Sequence, residues 1–249
     1  MVAQRCAGNR ELIHATAVFV YSTDIRVFVS GGTGYMGRAL IPRLLAAGHE
    51  VVALARPDSE AKLPAGCTAV SGNALDEKTF LDRLGQADAY VHLVGVAHPG
   101  PGKERQFREI DQASLEASVR AATGRIRNFV YVSVAQPAPA MRAYQSVRAA
   151  CERTIRNAGL EANILRPWYV LGPGHRWPYV LIPFYKLFEL IPATRDGATR
   201  LGLVTLPQMI AALAWAVENP AEGIRVIDVP MIRRITNRSV TVAARNGAS

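Results

Sequence analysis

Cysteine is scarce in this chain of 249 residues: Cys6, Cys67 and Cys151 are odd in number and widely scattered. That argues against a disulfide framework and against a zinc site, so no metal is expected, and it suits a reducing cytoplasm. A long apolar run is also missing, since no stretch approaches the roughly 18 residues that cross a bilayer. Acidic residues are few, 20 against 29 Lys and Arg, for a net charge of +9. Yet the basic residues form no Lys/Arg block and no basic face interleaved with aromatics, so no specific nucleic-acid partner is expected. A pocket for an anionic cofactor accounts for part of the positive balance equally well. With 49% hydrophobic and 20% charged residues, the chain has an ordinary globular composition. Its length fits one α/β domain or one domain with a small lobe.

Residues 1–24 read as a poorly structured extension. Its arginines and apolar stretch faintly suggest a signal peptide, but His14 interrupts the stretch and no convincing cleavage site follows. From Ile25 onward, apolar runs of strand length alternate with segments of helical period. "IRVFVS", "EVVALA", "CTAVSGNA", "AYVHLVGV", "NFVYVSV" and "ANILRP" read as six strands. "GRALIPRLLAAG" reads as a helix that Gly48 stops and Pro42 can kink. "DEKTFLDRLG", "QFREIDQASLEASVRAA" and "YQSVRAACERTIRNAG" read as further helices, the second with Phe107, Ile110, Ser114, Leu115, Val119 and Ala122 at helical spacing. The alternation predicts a Rossmann-type, doubly wound parallel sheet in residues 25–166, of α/β class. Residues 167–232 read as a small substrate-side lobe with a returning helix and strand. Residues 233–249 read as a mobile basic tail.

Between the first strand and first helix stands "SGGTGYMG". Gly31, Gly34 and Gly37 space as G-x-x-G-x-x-G, in the strand–turn–helix context that lets a pyrophosphate sit at a helix N-terminus. About 20 residues further on, NAD-binding chains place an acid for the ribose 2′-hydroxyl. Here the second strand ends in Arg56, with no carboxylate before Asp58, so a 2′-phosphate and hence NADP(H) is favoured, with NAD(H) as the alternative. Asn73, in the loop "SGNALD", suits the adenine edge, although an Asn in a turn needs no ligand. "HLVG", residues 92–95, offers a backbone without bulk beneath a cofactor.

These segments, together with "YVSV", Tyr144-x-x-x-Arg148, "LRPWYVLGPG" and "GLVTLPQM", resemble the extended and atypical short-chain dehydrogenase/reductases, including the epimerase/dehydratase and NAD(P)H-binding groups. The resemblance covers about Ile25 to Val229. It implies a cofactor held by Gly31, Thr33, Gly34, Tyr35, Met36, Gly37, Arg56, Asn73, Ala74, Leu93, Val94, Gly95 and Pro167. It also implies an acid/base Tyr144, a ribose-supporting cation at Arg148 and a carbonyl-orienting hydroxyl at Ser133. Two departures stand out. Position 148 is arginine where the family has lysine, and Val134 stands where the second, catalytic hydroxyl is usual. Trp168, Tyr169, His175 and Trp177 fall in the family's substrate-side loop. "YVLIPFYKLFELIP" reads as core or subunit-interface sequence rather than a membrane-docking surface. The expectation is an NADP(H)-dependent oxidoreductase or epimerase-like enzyme, a monomer or homodimer, acting on a small, partly apolar carbonyl or alcohol. The competing expectation is a non-catalytic NADP(H)-binding structural or redox-sensing protein that acts through a protein partner.

Overall fold

A computed structural model describes residues 24–97, 99–138, 140–172 and 201–246. Seven parallel strands form the central sheet: β1 (Arg26–Ser30), β2 (Glu50–Ala55), β3 (Thr68–Ser71), β4 (Ala89–His92), β5 (Asn128–Val132), β6 (Ala162–Arg166) and β9 (Ile224–Asp228). Their spatial order is β3-β2-β1-β4-β5-β6-β9. The chain therefore builds outward from β1 in one direction and then restarts beside it with β4. That reversal opens a crevice at the carboxyl ends of β1 and β4, the place where such sheets bind ligands. A second, two-stranded parallel sheet pairs β7 (Tyr169–Leu171) with β8 (Leu203–Thr205).

Both faces of the sheet are covered, which explains why the strands read as continuous apolar runs. The alternation along each strand sends Val27, Val29, Val130 and Val132 to one face. There they meet Leu40, Ile41 and Leu44 of α1 (Tyr35–Ala46) and Met209, Leu213 and Val217 of the late helix Leu206–Glu218. Phe28, Tyr90, Phe129 and Tyr131 point to the other face. They pack with α2 (Leu81–Leu84) and with the helical segment that runs from α3 (Glu104–Gln106) through a π-helical turn (Phe107–Gln112) into α4 (Ala113–Ala122). Val147, Cys151 and Ile155 of α5 (Arg142–Asn157) complete that layer.

The α1 helix continues through Pro42 to Ala46, and Gly48 follows it at φ +90°. The "DEKTFLDRLG" segment divides into a 3-10 turn, Glu77–Thr79, capped by Asp76, and the short α2.

Two expectations change at the carboxyl end. The helix after β8, here α6 (Leu206–Glu218), packs on the central sheet's core, and β9 pairs with β6 as the seventh strand. This returning pair is thus part of the main layer rather than of a separate lobe. The segment from Arg233, read as a tail, lies in α7 (Val229–Asn246). Its polar composition hides three apolar residues, Val229, Ile232 and Ile235, spaced to one side and buried against the core. The Asp228 carboxylate accepts the Met231 N–H at the start of this helix, and the Arg233 guanidinium donates to the Leu203 carbonyl of β8.

Candidate functional site

The glycine loop makes a turn that side chains would obstruct. Gly31 sits at φ +82°, and a Cβ there would lie 2.7 Å from the Leu93 carbonyl carbon. A Cβ on Gly37 would overlap the Gly31 carbonyl oxygen and lie 2.6 Å from Gly32 Cα. These two glycines let β1, the loop, α1 and the segment after β4 pass against one another. Gly34 differs, because a Cβ on it would meet only the Gly31 oxygen, at 3.1 Å. It stands on the open side of the turn and is the N-cap of α1, with no side-chain cap and no acid in the first turn. The first N–H groups of a helix lack partners in its own ladder, and the helix dipole adds positive potential there. The potential at the start of α1 thus favours an anion.

A cavity of about 430 Å³ extends from this turn along the carboxyl ends of the strands. Gly31, Gly34, Tyr35, Met36 and Gly37 line one end, and Leu93, Val94 and Gly95 line the floor. The far end is formed by Ser133, Val134, Met141, Tyr144, Arg148, Pro167, Trp168 and Tyr169. Thus most of the expected cofactor residues and all three expected catalytic residues share one space. Thr33, Arg56, Asn73 and Ala74 do not line it. Arg56 is exposed just beyond β2, and Asn73 closes a local turn by accepting the Leu75 N–H on its side-chain oxygen. His175 and Trp177 lie outside the described residues.

Tyr144 is half-buried, its ring packed against Phe107 at a centroid distance of 5.0 Å and against the Arg148 guanidinium, 5.0 Å from the ring centre. Burial pushes its phenol above the ordinary value, and the Arg148 charge offsets this only in part. Arg148 is buried, and its contacts are to protein groups. It donates to Asp111 Oδ1 at 2.6 Å, to the Tyr131 hydroxyl at 3.0 Å and to the Val132 carbonyl at 3.0 Å. Asp111 also accepts the Val96 N–H at 2.9 Å, and a Cβ on Gly95 would crowd both charged groups. Burial raises the Asp111 pKa, against the opposing pull of Arg148 and the Val96 N–H.

Ser133 follows β5, and its hydroxyl donates to Glu152 Oε1 at 2.7 Å. The same buried carboxylate accepts from Gln136 at 2.9 Å and from Arg166 through Nε at 2.9 Å and Nη2. Burial opposes its charge, but the Arg166 and Ser133 hydrogen bonds outweigh that and hold its pKa below the ordinary carboxylate value. Glu152 therefore ties α5 to the two loops that flank the far end of the cavity.

Asp111, Glu152 and Phe107 were missed as site residues in the sequence. Asp111 carried one signal: it lies four residues from both Phe107 and Leu115, which puts a carboxylate on the apolar stripe. Glu152 lies one residue from Cys151 on the buried side of α5, but its partners are brought in by strands β5 and β6. Among the described residues, no group of three or more His, Cys, Asp or Glu is placed to hold a metal, and no helix is long and apolar enough to cross a membrane.

Comparison with known proteins agrees with this geometry. The NAD(P)H-binding family model matches residues 31–180. The chain is 26% identical over 222 residues to a ceramide reductase of Caulobacter vibrioides, covering 86% of this chain and 67% of that protein. It is 24% identical over 230 residues to subunit 9 of the NADH dehydrogenase [ubiquinone] 1 alpha subcomplex, mitochondrial, of Arabidopsis thaliana, covering 88% of this chain and 54% of that one. Among solved structures, the Bordetella bronchiseptica enzyme WbmH in complex with NAD+ superposes with a TM-score of 0.61 at 21% identity, over 82% of this chain and 75% of that one. That likeness is one of fold.

Proposed function

The chain belongs to the NAD(P)H-binding family, and on that premise we propose that it is an NADP(H)-dependent oxidoreductase acting on a small, partly apolar carbonyl or alcohol. The observation that carries this reading is a continuous cavity, which runs from the uncapped start of α1 to Tyr144 and an apolar, aromatic end formed by Met141, Trp168 and Tyr169. The residues fit a pyridine dinucleotide by a test independent of any comparison: Gly34 leaves bare backbone on the open side of a turn whose other glycines are required by packing.

Gly31, Gly34 and the first turn of α1 would hold the diphosphate, and Leu93, Val94 and Gly95 would support the ring beyond it. Arg56, exposed at the end of β2, would pair with a 2′-phosphate. When bound, the cofactor supplies or accepts a hydride. Tyr144 exchanges a proton with the substrate oxygen, and the apolar end of the cavity holds the rest of the substrate and excludes water. Arg148 supports this arrangement from beneath the Tyr144 ring.

A second reading draws on Ser133. With its hydroxyl hydrogen on Glu152 and a valine at position 134, neither Ser133 nor the residue after it offers a hydrogen to a substrate oxygen. That favours a protein that keeps NADP(H) as a structural or redox-sensing element. A melting scan with NADPH and NADH in parallel tests the shared premise. A nucleotide at 100 times its Kd stabilises the fold by about 2.7 kcal/mol. Loss of carbonyl turnover in Tyr144→Phe with nucleotide binding intact supports the oxidoreductase. Absence of turnover by the unaltered protein over a carbonyl panel supports the sensor.

A further inference from the structure

The charge that the family's lysine would place at the cofactor is treated differently in this chain. Arg148 lies under the site, 6% exposed, and its guanidinium is fixed by Asp111, the Tyr131 hydroxyl and the Val132 carbonyl. Asp111 is fully buried and comes from the π-helical turn Phe107–Gln112. Such turns are rare and recur at functional sites. The same turn supplies Phe107, whose ring centroid lies 5.0 Å from that of Tyr144. Asp111 holds the cavity floor as well, through the Val96 N–H. A Cβ on Gly95 would lie 2.7 Å from Arg148 Nη2 and 3.1 Å from Asp111 Oδ1, so any larger residue there would displace the pair.

We propose that Asp111 is a positioning residue of this site: it takes Arg148 into a buried ion pair, keeps the guanidinium on the face of the Tyr144 ring, and leaves Tyr144 beside a neutral pair instead of a free cation. This rests on the oxidoreductase reading above. Among the described residues, the titratable groups around Tyr144 are Arg148 and Cys151 on its own helix, Asp111 from the π-helical turn, and Tyr131 of β5 behind Arg148. A lone cation would draw the phenol down. Burial, the largest cause, sets the upward direction of the Tyr144 shift; Arg148 pulls the other way, and Asp111 opposes that pull.

The test reads Tyr144 directly, by ultraviolet tyrosinate titration of each protein against its Tyr144→Phe counterpart. In the unaltered chain Tyr144 titrates above the ordinary value of about 10. In Asp111→Asn it moves down by about one pH unit or more, because Arg148 is left uncompensated. In Asp111→Asn/Arg148→Gln, which removes both charges, it returns toward the original value. A titration unmoved in the single variant, or lowered equally in the double, overturns the proposal. If the single variant fails to fold, the double decides alone: a Tyr144 titration near the original supports the neutral-pair assignment, and a large drop removes it. Melting shifts with NADPH, measured on the same proteins, separate the two levels. No shift in the unaltered chain strikes the cofactor reading, whereas a normal shift with an unmoved titration strikes Asp111 alone.

Discussion

The Ser133 hydroxyl donates its one hydrogen to Glu152 Oε1 across 2.7 Å, on a carboxylate that also accepts from Gln136 and Arg166. A serine so engaged has only lone pairs left for a ligand. It therefore cannot donate to a substrate carbonyl while this bond stands. Ser133→Ala should reduce turnover by less than tenfold, well below what loss of an orienting donor costs. Its larger effect should be on stability, about 1–2 kcal/mol, from leaving a buried acceptor short of one donor. Steady-state rates and urea unfolding of the same variant measure the two effects side by side.

Glycine substitutions should separate folding from binding within a single loop. Gly37→Ala forces a Cβ into backbone atoms of Gly31 and Gly32, so it should destabilise the fold by several kcal/mol, on the order of 3. Gly34→Ala meets only the Gly31 oxygen. It should fold with a near-normal urea midpoint and lose NADPH affinity at least about tenfold, roughly 1.4 kcal/mol. Calorimetric titration and urea denaturation together decide this. Equal loss of stability in both variants would show that Gly34 is a packing residue.

Arg56 should set the nucleotide preference. Arg56→Glu removes a guanidinium and offers a carboxylate for a ribose hydroxyl, so NADPH affinity should fall by about tenfold or more while NADH affinity holds or rises. Parallel titrations give the ratio. An unchanged ratio would remove Arg56 from the cofactor site.

His92 gives the fold a dependence on pH. It is buried between Ser30 Oγ at 3.1 Å and Ser118 Oγ at 3.0 Å from Nδ1, and its Nε2 has no hydrogen-bond partner among the described residues. Burial, helped by the Arg148 charge, pushes its pKa down to about 3 from 6.5. Below pH 6.5 the unfolded chain binds a proton there that the folded chain refuses. Stability should therefore fall as pH drops from 6.5 toward 3, by roughly 1 kcal/mol per unit. The depressed Glu152 adds a loss in the same sense, but only below the ordinary carboxylate value of 4.5. Urea midpoints between pH 7 and 5 should thus be flatter in His92→Gln than in the unaltered chain.

The parts legible in the sequence were those in which the physical signal is local. A strand, three spaced glycines and an amphipathic helix occupy one short segment, and β1, the loop and α1 follow from it directly. The runs that became β1, β2, β4, β5 and β6 were equally readable, because both faces of the sheet are covered there. Helix α7 was not, since Val229, Ile232 and Ile235 are diluted by basic and polar residues and their partners on α6 are supplied only by the fold. Asp111 and Glu152 were hidden for a related reason. Asp111 meets Arg148 from 37 residues away, and Glu152 meets Ser133 across 19. Sequence spacing could put Tyr144 and Arg148 on one side of α5, but it could not reveal that the guanidinium is held by an acid from another helix.

The most direct measurement is hydrogen exchange of the backbone amides with and without NADPH. If the turn after β1 and the start of α1 grip a dinucleotide, amides in residues 31–37 and 93–96 slow when NADPH is added, while those of α7 do not change. Unaltered exchange across residues 31–37 at saturating NADPH and NADH would contradict the assignment of this cavity to a pyridine nucleotide.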